Sequence, residues 1–133
     1  MGYQVYPITI TPEWLRKHPE VIFIFGDNLL GKGKKGSAIC RDESNAWGFI
    51  TKKEPNNNDS SFFRPRDYEN VLIEEIYRLD KLIKQNSNKT ILISKVGAGL
   101  ANKYHIRSMI IVALDKFNDV KEYPNVIFLG GNT

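Results

Sequence analysis

The sequence predicts an α/β fold in which residues 1–133 form one three-layer domain around a mixed, mostly parallel sheet. Three observations carry this expectation. The apolar runs 21–25, 90–94 and 125–129 are rich in β-branched and aromatic residues and do not alternate with polar ones. Strands buried on both faces read this way. Two stretches between these runs repeat apolar residues at spacings of three and four, as core-facing helices do. Strand, helix, strand, helix, strand is the order that builds a parallel sheet with covering helices.

Each element has its own signal. Residues 4–6 and 8–10 suggest an edge strand interrupted by Pro7. Thr11 followed by Pro12 reads as a helix cap and a proline at the first helical position, opening one short helix. The run 21–25 stops at Gly26-Asp27-Asn28 and enters a loop rich in glycine and lysine, after which Ala38, Ile39 and Cys40 suggest the start of a helix. Residues 46–51 suggest a further strand, broken by Gly48, and residues 52–65 a polar loop. Tyr68, Leu72, Ile76, Leu79 and Ile83 form the first helical stripe, with Asp67 as its expected N-cap. Ile106, Ile110, Ala113 and Phe117 form the second, ending before Asn118.

Composition narrows the function classes. An apolar fraction of 41% and a charged fraction of 26% are ordinary for a globular chain of 133 residues. A net charge of +4 favours anionic partners, although the 19 basic residues are spread along the whole chain. The lone cysteine, Cys40, excludes an internal disulfide and suits a reducing cytoplasm. No signal peptide, membrane span or zinc-ligand spacing is present, so neither a membrane partner nor a metal or other cofactor is expected.

In an open α/β sheet, ligands bind outside the carboxyl ends of the strands. Here three such ends carry glycines: Gly26 with the loop to Ser37, residues 94–100, and Gly130-Gly131. Glycines let backbone N–H groups approach an oxyanion, and lysines add charge, so a phosphate-bearing small molecule is the ligand class indicated. Residues 26–32 satisfy the spacing of a nucleotide-binding P-loop, but Gly33 stands where that motif needs a Ser or Thr hydroxyl for magnesium. A nucleoside-triphosphate hydrolase is therefore not indicated.

Phe25-Gly26-Asp27-Asn28-Leu29, the loop Gly31-Lys32-Gly33-Lys34-Lys35-Gly36-Ser37, Phe49-Ile50-Thr51-Lys52 and Val96-Gly97-Ala98-Gly99-Leu100 together resemble a small macro-domain-like family of phage and bacterial proteins. The resemblance runs in the same order from about Val21 to Leu129. It implies a macro-domain-like architecture, binding of ADP-ribose or a related nucleotide, and location in the cytoplasm, that of the host if the protein is phage-encoded. By this likeness Asn28 would contact the distal ribose and Gly31, Gly33 and Gly36 would flank ribose and phosphates. Gly97, Ala98, Gly99 and Leu100 would wrap the diphosphate. Lys32, Lys34 and Lys35 stand where the family carries mostly neutral small residues.

Some macro domains hydrolyse ADP-ribose derivatives, removing a terminal phosphate or an ADP-ribosyl group. Asn28 and Asp27 are the candidate catalytic residues, Asn28 to position a water or hydroxyl and Asp27 as the nearest carboxylate. The ligand set expected is Gly26, Asp27, Asn28, Gly31 to Ser37 through the lysines, Lys52, residues 97–100, and Tyr104 as a stacking platform. The residues leave open whether turnover occurs or the protein only senses or sequesters a nucleotide. A third reading is a single-stranded nucleic-acid module, with Lys32, Lys34, Lys35, Arg41, Lys52, Lys53, Arg64 and Arg66 converging beside Trp47, Phe62 and Phe63.

Overall fold

The computed structural model describes residues 6, 7 and 9–133. Its elements are helix α1 (Pro12–Lys17), strand β1 (Val21–Asn28), strand β2 (Ala46–Lys52), helix α2 (Pro65–Gln85), strand β3 (Thr90–Ile93), helix α3 (Arg107–Leu114) and strand β4 (Val126–Phe128). Of the edge strand expected at 4–6 and 8–10, residues 4, 5 and 8 lie outside the described residues, and residues 6, 9 and 10 are not in a strand. The sheet has the order β2-β1-β3-β4, and every strand pair is parallel. The only antiparallel pairing among the described residues is an isolated bridge between Lys52 and Phe62, so the mixed sheet expected from sequence is all-parallel.

Alternate residues of the central strands serve two cores. Ile22 and Ile24 of β1, with Ile91 and Ile93 of β3, pack against Tyr68, Leu72, Leu79 and Ile83 of α2, Ile110 and Leu114 of α3, and Ile106 just before it. Val21, Phe23 and Phe25, with Leu92, face Leu15 of α1 and Ala38 and Cys40 of the β1–β2 connection. This division follows from connectivity. The chain leaves β1 for β2 in one direction, then crosses back past β1 to β3, and right-handed crossovers in opposite directions cover opposite faces.

Local signals set most boundaries. The Thr11 hydroxyl accepts a hydrogen bond from the Trp14 N–H at 3.1 Å and caps α1. Helix α2 starts earlier than the stripe alone suggested. Pro65 occupies its first turn and Arg64 is the cap residue, which leaves Asp67 inside the helix rather than ahead of it. Helix α3 ends at Leu114 and a 3-10 turn, Asp115–Asn118, carries the chain on to the buried Phe117. Residues 36–40 form a single 3-10 turn, not the helix that Ala38-Ile39-Cys40 suggested.

Gly48 does not break β2. A Cβ on it would lie 2.3 Å from Oδ2 of Asp27, so the glycine makes room for that carboxylate on the neighbouring strand. Elsewhere on β2, the buried Tyr68 of α2 donates its hydroxyl proton to the Ile50 carbonyl at 2.5 Å. Burial also pushes the Glu75 carboxyl above its usual range, while Arg78, whose Nη1 donates to both carboxylate oxygens at 2.8 and 2.9 Å, opposes that shift.

Two stability measurements follow. Tyr68→Phe strips a buried carbonyl of its donor and should lower the unfolding free energy by about 1–3 kcal/mol in urea titrations; no change would mean that another group takes over the Ile50 carbonyl. A carboxyl whose folded pKa is raised contributes stability below its unfolded pKa, and that contribution is lost as pH rises through the folded value. Stability profiles of wild type and Glu75→Gln should therefore diverge above the ordinary glutamate range, the wild type losing stability relative to the variant. Parallel profiles would remove Glu75 as the source.

Candidate functional site

The connection leaving β1 is organised by one ion pair. The Asp27 carboxylate receives both terminal nitrogens of Arg41, at 3.0 and 2.5 Å, and the Asn28 N–H at 2.7 Å. Both charged side chains are largely shielded, 11% exposed for Asp27 and 15% for Arg41. Arg41 also donates to the carbonyls of Gly33 at 2.9 Å and Lys32 at 3.1 Å, and its guanidinium lies 5.3 Å from the centre of the Phe25 ring. Asn28 adds a second brace. Its amide donates to the Lys32 carbonyl at 2.7 Å and its carbonyl accepts from the Leu30 N–H at 3.1 Å. Asp27 and Asn28 are thus engaged within the loop, holding its shape.

Beyond this brace the chain delivers Gly36 and Ser37 to a cleft of about 680 Å³. All three glycine-bearing strand ends reach it: Gly36 and Ser37 after β1, Ser94 and Lys95 after β3, and Leu129 and Gly130 after β4. Phe23 and Ile10 form its apolar floor. The position is the topological switch point, where connections leave β1 and β3 towards opposite edges. Gly36 has φ +60° and a Cβ there would meet nothing within 4 Å, so its backbone is open to the cleft.

Lys95 is the cation of the cleft. It is exposed and donates to the Thr133 hydroxyl at 3.1 Å. Ser94 is fixed by donating to the Ile24 carbonyl at 2.6 Å. Behind them the buried Arg107 of α3 donates to the Val96 carbonyl at 2.9 Å and to the Thr133 carbonyl at 3.1 and 3.3 Å, tying the second strand end to the third. Burial pulls the Arg107 pKa below its usual value.

The residues expected from sequence divide. Gly36 and Ser37 line the cleft. Gly26, Asp27 and Asn28 end β1, and Gly31, Lys32 and Gly33 belong to the loop that Asp27 and Asn28 brace, with Lys32, Lys34 and Lys35 exposed and Lys34 paired to Asp42. Gly97 is pressed against the core, where a Cβ would meet Ile110 Cδ1 at 2.3 Å, and the exposed Ala98 follows it. Gly99 and Leu100 line a different cavity, of about 460 Å³, with Phe62 and Lys103. Lys52 lies beside Phe62 as well, 4.8 Å from that ring, and donates to the Asn56 carbonyl at 2.7 Å, and burial, then Lys35, lowers its pKa. Tyr104 lies against Lys103 and against Arg64, whose guanidinium is 4.4 Å from the Tyr104 ring centre.

The basic face expected beside the aromatics is likewise divided. Arg41 points inward to Asp27, Trp47 is covered by Arg78 at 4.6 Å, and Phe62 and Phe63 are buried. The residues missed from sequence are Lys95, Gly48, Arg107 and Asp59. Lys95 follows a strand directly and could have been read from that position; the others are meaningful only through tertiary contacts.

The model of one protein family matches residues 5–103. The chain belongs to this family of unknown function, DUF7831. The DUF7831 match takes in both the braced loop and the second strand end, and stops ahead of α3 and β4. No curated protein and no solved structure matches the chain. Among the described residues, no helix is long and apolar enough to cross a membrane, and no group of three or more His, Cys, Asp and Glu is arranged to hold a metal ion.

The brace makes a direct prediction. Gly48→Ala forces the Asp27 carboxylate off β2 and away from Arg41, and should cost about 1–3 kcal/mol of stability in chemical denaturation. An unchanged midpoint would show that the pair does not depend on that space.

Proposed function

We propose that this DUF7831 protein binds ADP-ribose or a related phosphorylated nucleotide in the cleft at the β1/β3 switch point. The observation that carries the reading is the convergence of all three glycine-bearing strand ends on one cleft with an apolar floor and an exposed lysine. Backbone N–H groups at Gly36 and around Gly130 would meet phosphate oxygens, and Lys95 would add a charge-assisted contact. The floor of Phe23, Ile10 and Leu129 suits the apolar faces of a base or ribose. The likeness of the first glycine loop, which brings Gly36 and Ser37 to this cleft, to macro domains supports the choice of ADP-ribose, whereas Gly99 and Leu100 of the second loop open onto the other cavity.

One observation favours binding without turnover. The described residues lining the cleft include no carboxylate, histidine or cysteine, so the hydroxyls of Thr9, Ser37 and Ser94 have no carboxylate or imidazole base beside them in the cleft to activate them. Asp27 and Asn28, the residues expected to act, are held within the loop by Arg41 and the Lys32 carbonyl. The protein is then a receptor or sequestering agent for a nucleotide.

Calorimetric titration with ADP-ribose tests this directly. The reading expects a one-to-one complex, weakened about ten-fold or more by Lys95→Glu, with ADP-ribose recovered intact afterwards. Absence of binding, or affinity indifferent to Lys95→Glu, would contradict the assignment of this cleft. Consumption of the ligand would overturn the non-catalytic reading.

A further inference from the structure

Away from the cleft, the exposed carboxylate of Asp59 collects donors from two other parts of the chain. Lys103 Nζ lies 2.8 Å from Oδ1 and Arg64 Nη2 3.4 Å from Oδ2, and the Tyr104 hydroxyl also donates to Oδ1. The donors are themselves aligned. The Arg64 guanidinium lies 4.4 Å from the centre of the Tyr104 ring, its Nη2 is 3.2 Å from the Tyr104 hydroxyl, and Lys103 lies 5.2 Å from the Phe62 ring. An ammonium, a guanidinium and a phenol converging on one point match the several oxygens of a phosphate better than the two of a carboxylate. The hydrogen bonds from Lys103 and Tyr104 hold the Asp59 carboxyl below its usual range, as a resident anion among donors would be.

The surroundings also suit a ligand. The cluster borders the cavity of about 460 Å³ formed by Phe62, Gly99, Leu100, Asn102, Lys103 and His105. His105 is the one non-glycine residue with positive φ among the described residues, at +65°, and such backbone strain gathers at binding sites. Leu100 is 71% exposed at its rim.

We infer that Lys103, Arg64 and Tyr104 form a second phosphate site, in which Asp59 is a built-in stand-in that an incoming phosphate displaces. The rest of that ligand lies in the adjoining cavity against Leu100 and Phe62. The phosphate belongs to a free nucleotide or to a nucleic-acid backbone, and both present the same oxygens to these donors. The inference is independent of the cleft proposed above, because the two share no residue.

The test is titration of the Lys95→Glu protein, in which the cleft is weakened equally throughout, and of the same protein carrying Asp59→Ala, Asp59→Asn or Asp59→Ala with Lys103→Ala. Inorganic phosphate, AMP and a short single-stranded oligonucleotide serve as probes at low ionic strength. Removing the Asp59 carboxylate should tighten binding of at least one probe about ten-fold, and adding Lys103→Ala should cancel the gain. A gain with phosphate and AMP identifies a free phosphate group as the source; a gain with the oligonucleotide alone identifies the nucleic-acid backbone. Affinity unchanged in both Asp59 variants, with their unfolding midpoints retained, would overturn the inference. A gain that survives Lys103→Ala would overturn it equally.

Discussion

The contact on which the loop face at the strand ends depends is the bidentate pair of Asp27 and Arg41. It brings a carboxylate at the end of β1 and a guanidinium from beyond the lysine-rich loop into one shielded arrangement, lying over a glycine of the adjacent strand. Shielded ion pairs are poor sources of net stability, because desolvation offsets the attraction. Their usefulness lies in geometry, since removing either partner leaves the other charge buried and unpaired. Here Arg41 spends its remaining donors on the Lys32 and Gly33 carbonyls, and Asn28 takes the Lys32 carbonyl as well. A segment whose glycines and lysines would otherwise leave it unconstrained is thereby given one path, and that path ends with Gly36 and Ser37 in the cleft.

The cleft itself follows from strand order. With β1 next to β3 but joined to β2, the chain must depart from the two central strands in opposite directions, and a gap opens where it does. Three further contacts keep that gap shaped. Ser94 is bound to β1 through the Ile24 carbonyl, Leu129 donates its N–H to the Ile93 carbonyl at 2.9 Å, and Arg107 joins the Val96 and Thr133 carbonyls from below. Each strand end therefore has its own tether, and the cleft does not rely on a ligand to assemble it.

Much of this was legible in the sequence where burial alone decides the residue types. The central strands have no polar face, so their apolar runs stand out, and the α2 stripe reads cleanly because one side of a long helix carries the core. Thr11-Pro12 predicted a cap that the structure contains. Other expectations failed for reasons that only tertiary contacts supply. Ala38-Ile39-Cys40 has the composition of a helix start, but Arg41 is pulled back to Asp27 and only one 3-10 turn fits. Gly48 looked like a strand breaker because the carboxylate it accommodates comes from a different strand. The glycine-rich strand ends do lie together at one end of the sheet as loops, yet spacing could not show that residues 94–95 and 99–100 open onto separate cavities.

The central claim is that the switch-point cleft, and not the cavity beside Phe62, receives ADP-ribose. Amide chemical shifts of uniformly ¹⁵N-labelled protein, followed through an ADP-ribose titration, test it most directly. The account predicts saturable shifts at Gly36, Ser37, Lys95 and Gly130, with Gly99, Leu100 and Lys103 little changed. Shifts confined to Gly99, Leu100 and Lys103, or no saturable shift at all, would contradict it.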